Sequence, residues 1–410
     1  MIKASLSDLA NITMGTSPAG EFCGAEIIGI PLLNGPAEFT DFYPVPVQFT
    51  SAPKRLSKPG DILFCVRGST TGRMNWSDQE YAIGRGLAAI SHKSGSEYNH
   101  FLRYLLENNL NSLLNNTNGS TFPNLTRDLL AGFIFTIPAL GGQKKISALF
   151  KSVDTKIELN NRINAELEAM AKTLYDYWFV QFDFPDTNGK PYKTSGGKMV
   201  YSPILKRKIP EGWSDCLLGN YITFKRGISY KSGDIQEDGV PFINLNSFSL
   251  GGEFKLEGTK YYNGKFKPES KLSAGDLVIA ITDVTRNADI IGKAFVIPNI
   301  FDETPLISCD VACVSSKYFG SAYLEQLFNS ENYHKYIKHY ASGTLVLHLD
   351  LNGMKWFKTY QPPKELLEKY NQHCNSLFKQ RDIALKENMY LEALRNWLLP
   401  MLMNGQVTVK

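Results

Sequence analysis

The residues best able to meet a charged or hydrogen-bonding partner stand in short polar loops that follow apolar stretches. Asp61 to Val66 reads as a strand and runs into Arg67-Gly68-Ser69-Thr70-Thr71-Gly72-Arg73, and Arg85 stands between Gly84 and Gly86. Arginine can bond guanine through two N–H groups or hold a phosphate, hydroxyls meet phosphate oxygens, and glycine lets the backbone approach closely. The stretch from Thr117 to Asn124 adds Ser120, Thr121 and Asn124, while the second half of the chain offers Lys225, Arg226, Tyr230, Asn244, Asn246, Thr282, Thr285, Arg286 and Thr344 at places where turns are expected. The chemistry these residues share is recognition of a polyanion and of base edges. The same residue types also make ordinary solvated turns, so the loops alone leave both readings open.

Reaction chemistry finds no constellation. Gly84-Arg85-Gly86-Leu87-Ala88-Ala89 matches a dinucleotide fingerprint formally, but no strand-turn-helix frame surrounds it. A phosphate-binding loop, a His-Glu-x-x-His zinc motif and a nucleophile elbow are all missing, as is the Asn-Pro-Pro-aromatic motif of amino-methylating enzymes. Asp283, in a polar loop, reads as a turn-former or as an acceptor for cytosine. Cys23, Cys65, Cys216, Cys309, Cys313 and Cys374 are scattered among mostly apolar neighbours and read as buried free thiols. No catalytic residue, metal ligand or cofactor is assigned to this chain.

The formal net charge of +4 over 410 residues is weakly basic. It permits nucleic acid, but binding would have to rest on local patches or on partners that share the phosphate contacts. The composition is that of an ordinary globular protein, and no apolar run approaches the roughly 18 residues of a membrane span. A cytoplasmic location is expected.

The elements that must position these loops follow from periodicity. Residues 143–182 lack Pro and Gly and repeat apolar positions at Ile146, Leu149, Val153, Ile157, Ile163, Leu167, Met170, Leu174 and Trp178, the spacing of a long amphipathic helix. Residues 364–399 repeat the pattern at Leu367, Tyr370, Cys374, Leu377, Leu385, Asn388, Leu391, Leu394 and Leu398. The two stretches superpose at a constant offset of 224, which pairs Leu167 with Leu391 and Leu174 with Leu398. Upstream, the same offset pairs Ile83, Ala88 and Ile90 with Ile307, Ala312 and Val314, and an offset of 215 pairs Gly60-Asp61 with Gly275-Asp276. This is an internal duplication. The expected fold class is therefore α+β, with two related globular units separated by two long helices packed as an antiparallel coiled coil. The expected boundaries are 1–142 for the first unit, 143–182 for the central helix, 183–360 for the second unit and 361–410 for the C-terminal helix and tail. Repeated scaffold with diverged loops implies one task performed on two targets, whether DNA or, in a two-headed adaptor, proteins.

Five further stretches carry a resemblance across the whole chain: Gln143-Lys144-Lys145-Ile146 with Asp154-Thr155-Lys156-Ile157-Glu158, Trp178-Phe179-Val180-Gln181-Phe182-Asp183, Ile209-Pro210-Glu211-Gly212-Trp213, and Leu398-Leu399-Pro400-Met401-Leu402. With the two repeats, they resemble the specificity subunit of type I restriction-modification systems. The resemblance implies that each globular unit is a target-recognition domain reading one half of a split, asymmetric site in double-stranded DNA. It also implies that the helices act as a ruler and that the subunit performs no chemistry. Modification subunits that use S-adenosylmethionine to methylate adenine would dock on it, and restriction subunits could join.

Overall fold

The computed structural model describes residues 1–115 and 124–409. The chain forms two compact units. Unit 1 is Met1–Leu159 with Asn388–Lys410, and unit 2 is Asn160–Glu387. Both long helices thus run from one unit into the other, and each unit contains a globular part together with a stretch of both helices.

Unit 1 is built on a four-stranded antiparallel sheet in the order Ala10–Met14, Leu87–His92, Ile62–Cys65, Met74–Trp76. Residues Ile62 to Cys65 are buried on both faces, which explains their unbroken apolar run. A smaller sheet orders Cys23–Gly24, Gln48–Thr50, Ile30–Leu33 and Ala82–Ile83, and its last pair is parallel. Ile2–Ser5 pairs with Ile134–Ile137. The Ser5 hydroxyl and the Asp8 carboxylate form a capping box for the short helix Leu6–Leu9.

Unit 2 repeats this plan strand for strand. Its main sheet runs Ile222–Arg226, Val311–Ser316, Leu277–Ala280, Ala294–Val296, and its smaller sheet again ends in a parallel pair, Val240–Ile243 with Leu306–Ile307. The register is conserved as well as the order. Ile62 lies opposite Ile90 and Phe64 opposite Ala88 in unit 1; Leu277 lies opposite Val314 and Ile279 opposite Ala312 in unit 2. These are the positions that the offsets of 215 and 224 equate. Gly15 and Gly227 are equivalent for a steric reason. A Cβ on Gly15 would lie 2.1 Å from the Gly84 carbonyl oxygen, and one on Gly227 would lie 2.1 Å from that of Ser308.

The first long helix spans Leu140–Tyr175 and continues as one wider turn over Asp176–Val180. It starts three residues ahead of the Gly-free stretch, because the Gln143 side chain donates to the Pro138 carbonyl and anchors the first turn. It stops where Phe182 adopts φ 67° and the Asp183 carboxylate accepts from the Thr194 N–H and hydroxyl, both at 2.7 Å. The second helix, Lys364–Met403, runs through Pro400 instead of ending at Leu399. Leu399, Leu402 and Met403 are buried in the core of unit 1, which offsets the hydrogen bond that Pro400 cannot donate.

Within each unit the helices pair antiparallel. In unit 2 the Tyr370 hydroxyl reaches the Ala171 carbonyl at 3.4 Å, and Asn160 donates to Glu387 at 2.8 Å. In unit 1 Ile146 and Phe150 share a core with Leu399 and Leu402, and Asp154 meets Arg395 at 3.8 Å. The seam is more polar than the spacing predicts. Ile163, Met170 and Leu394 are exposed, and Asn160, Asn164 and Arg381 take buried places in addition to Asn388, which the spacing already puts in the seam. Counting threes and fours keeps residues on one stripe but does not say which of two adjacent stripes meets the partner.

The aromatic motifs join the helices to unit 2. Trp213 packs on Phe179, Phe182, Phe184 and Tyr360 at centroid distances of 6.2, 5.5, 5.4 and 5.3 Å. The Tyr360 hydroxyl donates to the Phe179 carbonyl, and Arg207 lies 4.8 Å over the Phe182 ring while donating to the Val180 carbonyl at 3.2 Å.

Each unit also sets polar groups against its helix pair. In unit 1 the Tyr104 hydroxyl donates to Asp154 at 2.5 Å beside Arg395. In unit 2 a cavity of about 580 Å³ is lined by Glu168 and Lys172 of the first helix, Arg381 of the second, and Lys293 and Glu325 of the globular part. Burial pushes both Glu168 and Glu325 up to about 7, against the pull of Arg381. Raised carboxylates bind more protons in the folded than in the unfolded chain, so their contribution is full below 4.5 and is lost as the pH rises towards 7. Unit 2 is therefore expected to lose on the order of 2 kcal/mol of stability between pH 5 and 7 and to level off above. In chemical denaturation across that range, E325Q should show a shallower slope; a slope identical to the wild type would exclude Glu325 as a source.

Candidate nucleic-acid interfaces

In each unit the fully or nearly fully buried residue just past the central strand draws three loops together. In unit 1 this residue is Val66. Its N–H donates to the Gly86 carbonyl and its carbonyl accepts from the Leu125 N–H, both at 2.9 Å. Arg67 thereby leaves the sheet between the Arg85 turn and Asn124, with which it forms an isolated antiparallel bridge. Gly68 and Gly72 take φ values of 90° and 96°, and the Thr71 N–H and hydroxyl both donate to the Gly68 carbonyl. The turn is thus closed from within, and Arg67, Ser69, Thr70, Arg73, Arg85 and Asn124 are exposed around it. Arg73 also reaches the Pro36 carbonyl at 3.4 Å. Ser120 and Thr121 lie outside the described residues.

In unit 2 the equivalent residue is Ile281, 215 positions on from Val66. Its N–H donates to the Asp310 carbonyl at 2.9 Å and its carbonyl accepts from the Leu349 N–H at 2.8 Å. Asp310 and Leu349 stand 224 positions beyond Gly86 and Leu125, so the same three segments converge. Here the loops form a small sheet in which Thr282–Asp283 pairs with Leu347–Leu349, and that strand pairs with Ala341–Ser342.

The predicted residues of unit 2 fall into separate roles. Arg286 and Thr344 are exposed and Thr285 is half-buried. Thr282 is buried and donates to Asp310 at 2.9 Å, so its hydroxyl holds the Ser308–Asp310 turn instead of facing a ligand. Asp283 is the turn-former of the two readings given to it. It is fully buried, and its carboxylate accepts the N–H groups of Thr285, Ile290 and Ile291 at 2.6, 2.6 and 2.8 Å.

Asn244 is likewise buried. It accepts from the Asn246 N–H and donates to the Gly258 carbonyl, each at 2.9 Å, which fixes the turn Leu245–Ser247 beside the smaller sheet. Asn246 is exposed on that turn. Arg226 ends the edge strand opposite Ala312, and Ile228 bridges Ser308, so this segment abuts the Ser308–Asp310 turn. Lys225 points to the other face of the strand and donates to the Glu269 carbonyl. Tyr230 packs edge-on against Phe242 at 5.0 Å, and burial, aided by the Asp310 carboxylate, raises its phenol above the ordinary value.

His348 was not singled out by its residue type. It is exposed and lies opposite Thr282 as Asn124 lies opposite Arg67, and the 224 offset from Asn124 was the signal that points to it. The dinucleotide-like Gly84–Ala89 leads into the strand Leu87–His92, where a phosphate site would need a helix N-terminus. Cys309 is exposed and Cys23 and Cys216 are half-buried, which corrects the expectation that all six thiols are buried. Among the described residues no helix is long and apolar enough to cross a membrane.

Comparison with known proteins accords with this architecture. Residues 3–169 match the family described as the type I restriction modification DNA specificity domain. The type I restriction enzyme HindI specificity subunit of Haemophilus influenzae is 24% identical over 86% of this chain and 88% of its own length. The putative type I restriction enzyme MjaX specificity subunit of Methanocaldococcus jannaschii is 32% identical over 40% of this chain and 38% of its own. In fold, the chain is similar to the crystal structure of the S subunit of a type I restriction-modification system from M. genitalium, with a TM-score of 0.60, 16% identity and coverage of 98% of this chain and 95% of that one. In sequence over most of its length, and in fold, the chain is similar to type I restriction-modification specificity subunits.

Proposed function

We propose that the two units read the two halves of a bipartite, asymmetric site in double-stranded DNA, and that the helix pair fixes the spacer between them. The observation that carries this reading is the pair of equivalent loop clusters at Val66 and Ile281, set on scaffolds that match in strand register while their exposed residues differ. A conserved frame with unlike loops is suited to reading two unlike sequences by one geometry. The chain would supply specificity only. Modification subunits carrying S-adenosylmethionine would methylate adenine, and restriction subunits would join the same complex. Exposed apolar side chains on the long helices are suited to those subunits: Leu394 and Trp397 in unit 1, and Ile163, Met170 and Ile383 in unit 2.

The direct test is sequencing the methylated adenines of a host that carries the chain with its partner subunits. A split motif is expected. Replacing residues 190–355 with those of a relative should then change one half of that motif and leave the other intact; a change in both halves, or in neither, excludes modular reading.

Single substitutions sort the loop residues. Alanine at an arginine bidentate to guanine should weaken binding by about 1–3 kcal/mol and relax one position, whereas loss of a phosphate contact should weaken all sequences alike. Arg67, Arg85, Arg226 and Arg286 are the side chains to replace, with titration against single-base variants of the site. Wild-type binding by all four variants would exclude these loops as the reading surface.

The ruler has its own test. Matched seven-residue insertions near Asn161 and Leu385 keep the apolar register and lengthen the helix pair by roughly 10 Å, or about three base pairs. The expected outcome is a longer spacer between unchanged half-sites, or a folded complex that no longer binds because the units have turned out of phase on the duplex. Full activity on the original spacer would remove the helices from that role.

A further inference from the structure

The hairpin beside the Ile281 cluster carries apolar residues where a solvated turn would carry polar ones. Leu345 is 89% exposed, Val284 65% and Val346 40%. Thr282 lies opposite His348 and Asp283 opposite Leu347, where the ladder ends; Val284 follows it on one arm and Val346 precedes it on the other, with Leu345 at the hairpin tip. Three exposed apolar side chains thus stand at the end of one short ladder.

The patch is held rigidly. Gly343 takes φ +140°, and a Cβ there would fall 2.0 Å from the Val346 carbonyl oxygen, so this arm can close only on glycine. The other arm is pinned by the three N–H groups on the buried Asp283 carboxylate. Arg286, Ser342, Thr344 and His348, all exposed, form a polar and basic rim. A fixed apolar tip within such a rim marks a contact surface that is polar and anionic overall but offers a small apolar group. On double-stranded DNA the apolar group displayed at a base edge is the C5 methyl of thymine in the major groove.

We propose that Leu345, supported by Val284 and Val346, reads a thymine methyl group in the half-site bound by unit 2. The inference rests on the DNA-reading assignment above. It makes Leu345 a specificity-determining residue of a kind that a search for arginines, amides and hydroxyls does not find.

The test uses the complex with its modification subunits, the duplex site identified from the methylated motif, and the unit 2 half assigned by exchange of residues 190–355. Each thymine of that half-site is replaced in turn by deoxyuridine, which removes only the methyl group. At one position wild-type binding should weaken about fourfold, the factor that one buried methyl group supplies. L345A should bind thymine and deoxyuridine equally there and keep wild-type sensitivity in the other half; Leu345→Met should restore part of the discrimination. Because the side chain is exposed, L345A is expected to fold, and its circular dichroism should match the wild type. An unchanged thymine-to-deoxyuridine ratio in L345A, or a unit 2 half-site without thymine, overturns the inference and leaves DNA reading standing. DNA bending with indifference to deoxyuridine would replace methyl reading by an apolar wedge. Absence of any sequence-specific binding by the complex would overturn the DNA-reading assignment itself.

Discussion

A buried peptide group must be paired, and this constraint organises both candidate interfaces. The central strand of each main sheet is buried on both faces, so its chain cannot simply turn into solvent where the ladder ends. Val66 and Ile281 solve the problem alike, each bonding one neighbour through its N–H and another through its carbonyl. Three loops distant in sequence are thereby tied together at one end of each unit. The tie uses backbone atoms only, so the side chains beyond it are free to differ between the repeats, as the proposed reading of two unlike half-sites requires.

The same economy explains the buried side chains among the loops. Thr282, Asp283 and Asn244 have the residue types of base readers but spend their hydrogen bonds inside the protein, on their own or neighbouring turns. Leaving such groups unpaired inside the protein would cost about 1–3 kcal/mol each, so burial decides their role before any ligand arrives. The groups left for a partner are those whose positions are set by these internal bonds.

The two units differ also in the side chains packed against the helix pair. Asp154, Tyr104 and Arg395 make one network, and Glu168, Glu325 and Arg381 line the other. At the corresponding positions of the repeat, Asp154 is replaced by Phe378 and Arg381 by Ile157. A charge moved into the other unit's setting would be buried without its partners, at a cost of several kcal/mol. Each globular part is therefore matched chemically to its own stretch of the helices, and the polar seam at Asn160, Asn164 and Asn388 opposes sliding of one helix along the other.

The sequence by itself determined the duplication, the two long helices and the strands flanking the loops, because each rests on local periodicity or on an offset that survives in residue types. It also placed the polar loops, since Gly, Thr and Asn make turns for reasons internal to a few residues. Only the tertiary structure decided which stripe of each helix is covered, leaving Met170 and Leu394 outside and taking Arg381 in, because that depends on the partner's shape. It alone separated Arg286 from Thr282, and brought forward His348 and Leu345. Whether a side chain faces solvent or its own backbone is set by contacts across more than sixty residues of chain, between Thr282 and His348, and no local pattern encodes it.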